Sequence, residues 1–118
     1  MNRKTMPTTY AAILGQLPMS GRPLTLCNNT TARLDTLGMV PVIIISLHGH
    51  DIVRMYRNDN VQVRHCGYPT VTTFDRIKRF LPARFSVTRQ GGNPRLLLDG
   101  QWFDNVSDRE WSCSTGAL

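Results

Sequence analysis

The chain has 118 residues and the apolar and charged content of an ordinary globular protein, so one domain with a single core is expected. Fourteen basic residues against eight acidic ones give a formal net charge of +6. No apolar run reaches the roughly 20 residues of a membrane span, and the first residues lack the apolar stretch of a signal peptide. These properties argue against a helical membrane protein and predict a soluble protein that stays in the compartment where it is made.

Arginine dominates the positive charge: 12 of the 14 basic residues are Arg, and only Lys4 and Lys78 are Lys. Arg binds phosphates and carboxylates through two parallel hydrogen bonds and stacks on planar groups, so the bias suits an anionic partner. A GC-rich genome and an ordinary need for solubility explain it equally well. The sequence leaves both explanations open.

The three cysteines, Cys27, Cys66 and Cys113, are far apart and form no Cys-x-x-Cys pair. A zinc finger or a thioredoxin-like redox site is therefore not expected. Without an export signal, reduced thiols are the default.

The first predicted element is a helix of two or three turns. Apolar residues recur at helical spacing between Tyr10 and Leu17. Thr8 or Thr9 can cap the first turn, and Pro18 ends the last one.

Extended segments make up most of the remaining chain. Val40–Leu47 is the strongest, because its apolar run is continuous, and Gly49 just beyond it is typical of a β-bulge. Connections are predicted at residues 35–38 and 57–60, and Asp99-Gly100 is a strong hairpin signal. The predicted strands are residues 24–26, 31–34, 40–47, 52–56, 61–65, 84–89, 95–98 and 101–103.

A short basic helix is predicted between the two groups of strands. Thr72 or Thr73 starts it, and Thr72 with Asp75 resembles a capping box. Pro82 ends it. Its apolar residues recur on one side, which leaves Arg76, Lys78 and Arg79 on the other side.

Together these elements predict an α+β fold: an antiparallel sheet of about five to seven strands with one or two short helices packed on it. Residues 1–106 form the single domain. Residues 107–118 are small and polar apart from Trp111, and they are predicted to form a loose C-terminal tail.

Four stretches in this order resemble a family of small, functionally uncharacterised accessory proteins of tailed bacteriophages. They are residues 28–31 (NNTT), 47–53 (LHGHDIV), 67–77 (GYPTVTTFDRI) and 99–103 (DGQWF). The resemblance covers roughly residues 8–104. His50 stands where the family commonly has Thr, and Lys78 where it commonly has Asn. The family offers no activity to transfer, so the resemblance implies only an accessory protein made in the cytoplasm of a bacterial host.

The three histidines are one candidate site. His48 and His50 share a face on a regular strand, and His65 lies on a nearby returning strand. Three converging imidazoles would suit zinc, with a fourth position open for water. Gly49 interrupts the alternation, and the alternative is that hydrogen bonds hold these histidines near a bulge. We therefore predict no metal or other cofactor.

Other catalytic arrangements have few candidates. The chain has no Gly-x-Ser-x-Gly, no glycine-rich phosphate loop and no His-Glu-x-x-His, and Glu110 is its only Glu. Cys66 and His65 are adjacent on a strand, so they point to opposite faces. We therefore do not expect an enzyme.

The basic residues between 54 and 95 are the preferred candidate site. The basic helix and its threonine-rich start can engage phosphates, and Tyr56 and Tyr68 can add stacking surfaces. The alternative is a solvated helix face with ordinary surface arginines. The predicted nucleic-acid-binding or partner-binding residues are Arg54, Arg57, Arg64, Tyr68, Arg76, Lys78, Arg79 and Arg84.

These observations favour a non-enzymatic phage accessory protein that binds nucleic acid or a host complex that handles nucleic acid. An inhibitor of host defence, such as an anti-CRISPR protein, would act in this way. The alternatives are a small metal-dependent enzyme built on the three histidines and a structural or assembly protein of the virion. A membrane partner is not expected, and the oligomeric state stays open.

Overall fold

The computed structural model describes residues 7–27, 29–58, 60–67, 70–81, 85–90, 93–98 and 100–103. It has an α+β fold with a five-stranded antiparallel sheet, a separate three-stranded antiparallel sheet and two helices. The predicted fold class is confirmed, and the last three strands form a sheet of their own instead of extending the first. The tail predicted at residues 107–118 lies outside the described residues.

In both sheets each strand pairs with the next one along the chain, in the orders β1-β2-β3-β4-β5 and β6-β7-β8. The second helix connects the two sheets. The elements are α1 (Tyr10–Leu14), β1 (Leu24–Cys27), β2 (Thr30–Leu37), β3 (Val40–Leu47), β4 (His50–Tyr56), β5 (Val61–Val63), α2 (Val71–Arg79), β6 (Phe85–Gln90), β7 (Asn93–Leu98) and β8 (Gln101–Phe103).

Two tight turns set the register of the central hairpins. Gly38 and Met39 connect β2 to β3 with φ values of 56° and 71°, and His48 and Gly49 connect β3 to β4 with φ values of 52° and 81°. Two consecutive positive φ values characterise the type I′ turn, whose twist matches that of the paired strands. The predicted connection at residues 35–38 is therefore too early, because β2 continues to Leu37.

The bulge predicted at Gly49 is wrong in position. Gly49 lies in the hairpin turn, and the irregularity lies inside β4. Ile45 pairs with Val53 and Ser46 pairs with Asp51, which leaves Ile52 as the extra residue. Because a bulge shifts the alternation by one residue, Asp51 points to the side of the sheet opposite the buried Val53.

The other predicted turns are confirmed. The amide of Tyr56 donates to the carbonyl of Asn60 at 2.9 Å across the β4–β5 turn. Leu98 pairs with Gln101 across the β7–β8 turn.

One hydrophobic core lies between the inner face of the five-stranded sheet, the two helices and the inner face of the three-stranded sheet. On β3 the alternate residues Ile43, Ile45 and Leu47 point into it. Each fully buried Ile or Phe contributes about 1.5–3 kcal/mol to the free energy of unfolding. The other large members are Tyr10, Ile13, Ile52, Val53, Met55, Val61, Val63, Phe74, Ile77, Phe80, Phe85, Val87 and Leu96. No helix in the described part of the chain is long and apolar enough to cross a membrane.

Candidate nucleic-acid interface

Helix α2 begins earlier than the sequence predicts. Its N-cap is Thr70, whose side-chain oxygen accepts the amide hydrogen of Thr73 at 3.2 Å and lies 3.1 Å from the Thr73 hydroxyl. The predicted start at Thr72 or Thr73, with Asp75 as the capping partner, is therefore wrong. Thr70 is the N-cap because its extended backbone points its hydroxyl at the free amides of the first turn.

The exposed side of α2 carries a net charge of +2. Successive residues are turned by about 100°, which puts Asp75 and Arg79 at its centre and Arg76 and Lys78 on its two flanks. Asp75 forms ion pairs with Arg76 at 2.9 Å and Arg79 at 3.3 Å. The pair between Asp75 and Arg79 is exposed and therefore weak, so Arg79 stays available to a stronger anion. We call Arg76, Lys78 and Arg79 the basic face of α2.

Arg76 also fixes the helix to the sheet. Its Nε donates to the hydroxyl of Thr30 at 3.0 Å, and Thr30 is a fully buried polar residue at the start of β2. The Arg76 side chain is consequently only 17% exposed. This contact orients the first two turns of α2 against the end of the β2–β3–β4 sheet.

The predicted strand arginines lie on the opposite side of the five-stranded sheet. Arg54 pairs in register with Ile44 and Gln62, neighbours of the core-facing positions, so it points away from α2. Arg64 donates from its Nε to the carbonyl oxygen of Asp51 at 2.9 Å. The structure therefore does not bring Arg54 and Arg64 together with the basic face of α2. We call this side the outer face; its residues are Arg33, Ile44, Ser46, Asp51, Arg54, Tyr56, Gln62 and Arg64.

An ion-pair network occupies the outer face. Both terminal nitrogens of Arg33 donate to the Asp51 carboxylate at 3.0 Å, and the Ser46 hydroxyl donates to the same carboxylate at 2.6 Å. The side chains are 35% exposed for Arg33 and 27% exposed for Asp51. The hydrogen bonds from Arg33 lower the pKa of Asp51, with help from the hydroxyl of Ser46, and the same pairing raises the pKa of Arg33.

The remaining predicted residues are dispersed. Arg57 is exposed in the β4–β5 turn, at the end of the sheet away from the start of α2. Tyr56 donates its hydroxyl hydrogen to Gln62 at 2.9 Å on the outer face. Tyr68 and Arg84 lie outside the described residues.

The three histidines line one cavity of about 410 Å³, which we call the histidine cavity. His48 comes from the β3–β4 turn, His50 begins β4, and His65 follows β5. His48 lies in the turn, so His48 and His50 are not alternate residues of a regular strand. No group of three His, Cys, Asp or Glu in the described part of the chain is arranged to hold a metal ion. The other lining residues are Leu47, Ile52, Thr70, Thr72 and Thr73.

Two further groups complete the polar surface. The Cys66 thiol donates to the carbonyl oxygen of Asp51 at 2.9 Å. The guanidinium of Arg95 lies 5.0 Å from the ring centroid of Trp102, which is 42% exposed on β8. An exposed aromatic ring beside a cation is a platform on which a nucleobase can stack.

Sequence reasoning missed Arg33 and Thr30. Neither contact is local: Arg33 reaches Asp51 across β3, and Thr30 meets Arg76 from 46 residues away. The alternation of polar residues at 31, 33 and 35 is the only sequence signal, and it can be interpreted only once the register with β3 is known.

No protein-family model, curated protein or solved structure matches this chain.

Proposed function

We propose that this chain is a non-enzymatic binding protein that engages the phosphate backbone of nucleic acid through the basic face of α2. The resemblance to phage accessory proteins adds the expectation that it acts in the cytoplasm of a bacterial host. A role as an inhibitor of host defence is consistent with that setting. The observation that carries the proposal is the exposed +2 side of α2, held in place by the contact between Arg76 and Thr30.

The electrostatic balance of α2 supports a phosphate ligand. Lys78 is exposed and has no ion pair among the described residues, and Arg79 is about half exposed. Asp75 is the only acidic residue of the helix and already has two arginines beside it. A polyanion that approaches this side meets more positive than negative charge, and releasing its counterions favours binding.

The test is a fluorescence-anisotropy titration of labelled DNA and RNA, at salt concentrations between about 50 and 200 mM. In Lys78→Ala/Arg79→Ala, affinity should fall about tenfold at low salt, and the slope of log affinity against log salt should decrease by about 2. Both residues are exposed, so thermal unfolding should change little.

The matched control is Arg22→Ala/Arg57→Ala. It removes the same charge from two exposed sites outside α2. This control should lower affinity much less than the α2 variant. Equal losses in the two variants would mean that net charge alone drives binding, and the absence of binding to any nucleic acid at low salt would refute the proposal.

A pull-down from a bacterial lysate, with and without nuclease, distinguishes direct binding to nucleic acid from binding to a host protein. The proposal expects capture that nuclease treatment abolishes. A single host protein that is retained after nuclease treatment would contradict direct nucleic-acid binding and point to a complex that handles nucleic acid.

A further inference from the structure

The histidine cavity has a chemical character that the basic face of α2 does not explain. Two imidazoles from the β3–β4 hairpin and a third from the segment after β5 line it, three threonines come from the start of α2, and Leu47 and Ile52 form its apolar floor. None of the described lining residues is acidic. A cavity with hydrogen-bond donors, flat rings and an apolar floor has the composition of a small-ligand site, and about 410 Å³ is within the usual size range.

The orientation of His65 argues for an organic ligand instead of a metal. Its Nδ1 accepts the amide hydrogen of Gly67 at 3.2 Å, so the neutral ring carries its proton on Nε2. A metal-binding histidine does the opposite, because it donates one ring N–H to the protein and offers the other nitrogen to the ion. The ring also lies edge-on to Phe74, with a centroid distance of 6.2 Å, which fixes its plane.

The guanidinium of Arg76 lies next to the cavity, and one of its terminal nitrogens also pairs with Asp75 at 2.9 Å. Arg76 is one turn after Thr72 on the same flank of α2, and its Nε holds Thr30. Thr30 pairs with Leu47 on the cavity floor. Asp51, the acidic residue nearest in sequence to His50, has its carboxylate on the outer face with Arg33. The cavity can therefore take a ligand with an anionic group at its edge.

We propose that the histidine cavity binds one nucleotide unit, with the base against the imidazoles and the apolar floor and the phosphate near the threonines and Arg76. A phosphate ion alone is too small to fill the cavity, whereas a base with its sugar and phosphate uses the floor, the rings and the donors together. Within the proposed function, on which this part rests, the nucleotide is an unpaired residue of the bound strand. A free nucleotide has the same chemistry.

The first test uses NMR of the histidine Cε1–H signals of the full chain, with adenosine 5′-monophosphate, adenosine and inorganic phosphate added separately. All three histidine signals should shift with the nucleotide, and each fragment alone should produce smaller shifts. In His48→Asn/His50→Gln, nucleotide affinity should fall about tenfold. Asn at position 48 keeps the turn, because Asn tolerates positive φ and Asn-Gly is the preferred type I′ pair. Unshifted histidine signals, or unchanged affinity in the variant, would overturn the proposal.

The second test separates the source of the nucleotide. Wild-type protein should bind a duplex with an unpaired tail more tightly than the same duplex with blunt ends, and the histidine variant should lose only this preference. If the two duplexes bind equally and the mononucleotide shifts the histidine signals, the cavity binds a free nucleotide. If no duplex binds, the proposed function fails, and the mononucleotide titration still shows whether the cavity binds a nucleotide.

Discussion

The two sides of the five-stranded sheet use arginine in different ways. On the outer face, Arg33 is half buried and bound through both terminal nitrogens to Asp51, so its charge is neutralised within the fold. On the other side, Lys78 and Arg79 of α2 are exposed, and Lys78 has no ion pair among the described residues. The comparison teaches that a count of arginines along the chain does not locate a binding surface, because the partner of each guanidinium decides whether its charge faces the solvent.

Removal of Asp51 should have the largest effect on stability. In Asp51→Ala, Arg33 loses two charge-assisted hydrogen bonds and Ser46 loses one, and the free energy of unfolding should fall by about 2 kcal/mol. Urea denaturation measures the change. Asp35→Ala is the matched control, since Asp35 is exposed and acts on Arg33 only through a weaker charge attraction. Nucleic-acid affinity of the folded Asp51→Ala variant should not fall, and a loss of affinity would contradict the placement of the interface on α2.

The same carboxylate predicts how stability depends on pH. Arg33 lowers the pKa of Asp51 in the folded state, so the unfolded chain binds a proton there at a higher pH than the folded chain does. The stabilisation is therefore complete above the ordinary aspartate pKa of about 4 and is lost as pH falls through the lowered folded value. Urea midpoints between neutral and acidic pH should decline more steeply for wild type than for Asp51→Asn. Parallel curves would mean that the ion pair does not contribute to stability.

Loss of the α2 cap should have a smaller effect. Thr70→Ala removes the side-chain acceptor of the Thr73 amide and should lower the free energy of unfolding by about 1 kcal/mol. Thr72→Ala is the control: Thr72 is exposed in the first turn and caps nothing, so it should change stability by less than about 0.5 kcal/mol. Equal effects of the two substitutions would contradict the helix start at Val71.

The smallest predicted effect concerns Met39 in the type I′ turn between β2 and β3. Met39 is 94% exposed at φ 71°, a conformation that a non-glycine residue adopts at a cost. Met39→Gly should therefore raise the free energy of unfolding by roughly 0.5–1 kcal/mol without changing binding. Met19 is equally exposed but has no positive φ, and Met19→Gly should give no such gain.

The local parts of the fold were predictable from sequence. The continuous apolar run of β3, the turn at residues 57–60 and the Asp-Gly hairpin each carry their signal within a few residues. The division of the basic residues between two faces was not predictable. It depends on the register of β2 with β3 and on the single extra residue Ile52, which together decide where Arg33, Asp51 and Arg54 point.

The candidate site was predictable in part. The sequence correctly placed Arg76, Lys78 and Arg79 on the side of a helix away from the core. It did not reveal that the three histidines share a cavity at the start of that helix, because this depends on the β3–β4 turn, the end of β5 and α2 meeting in space. A contact of that kind has no short-range pattern.

The most direct test of the account follows the arginine Nε–H signals of both faces in one NMR titration with a single-stranded oligonucleotide. The account predicts that the signals of Arg76 and Arg79 shift in proportion to binding, while the signal of Arg33 stays in place. A shift of Arg33 with unchanged signals from Arg76 and Arg79 would put the interface on the outer face of the sheet and contradict the account.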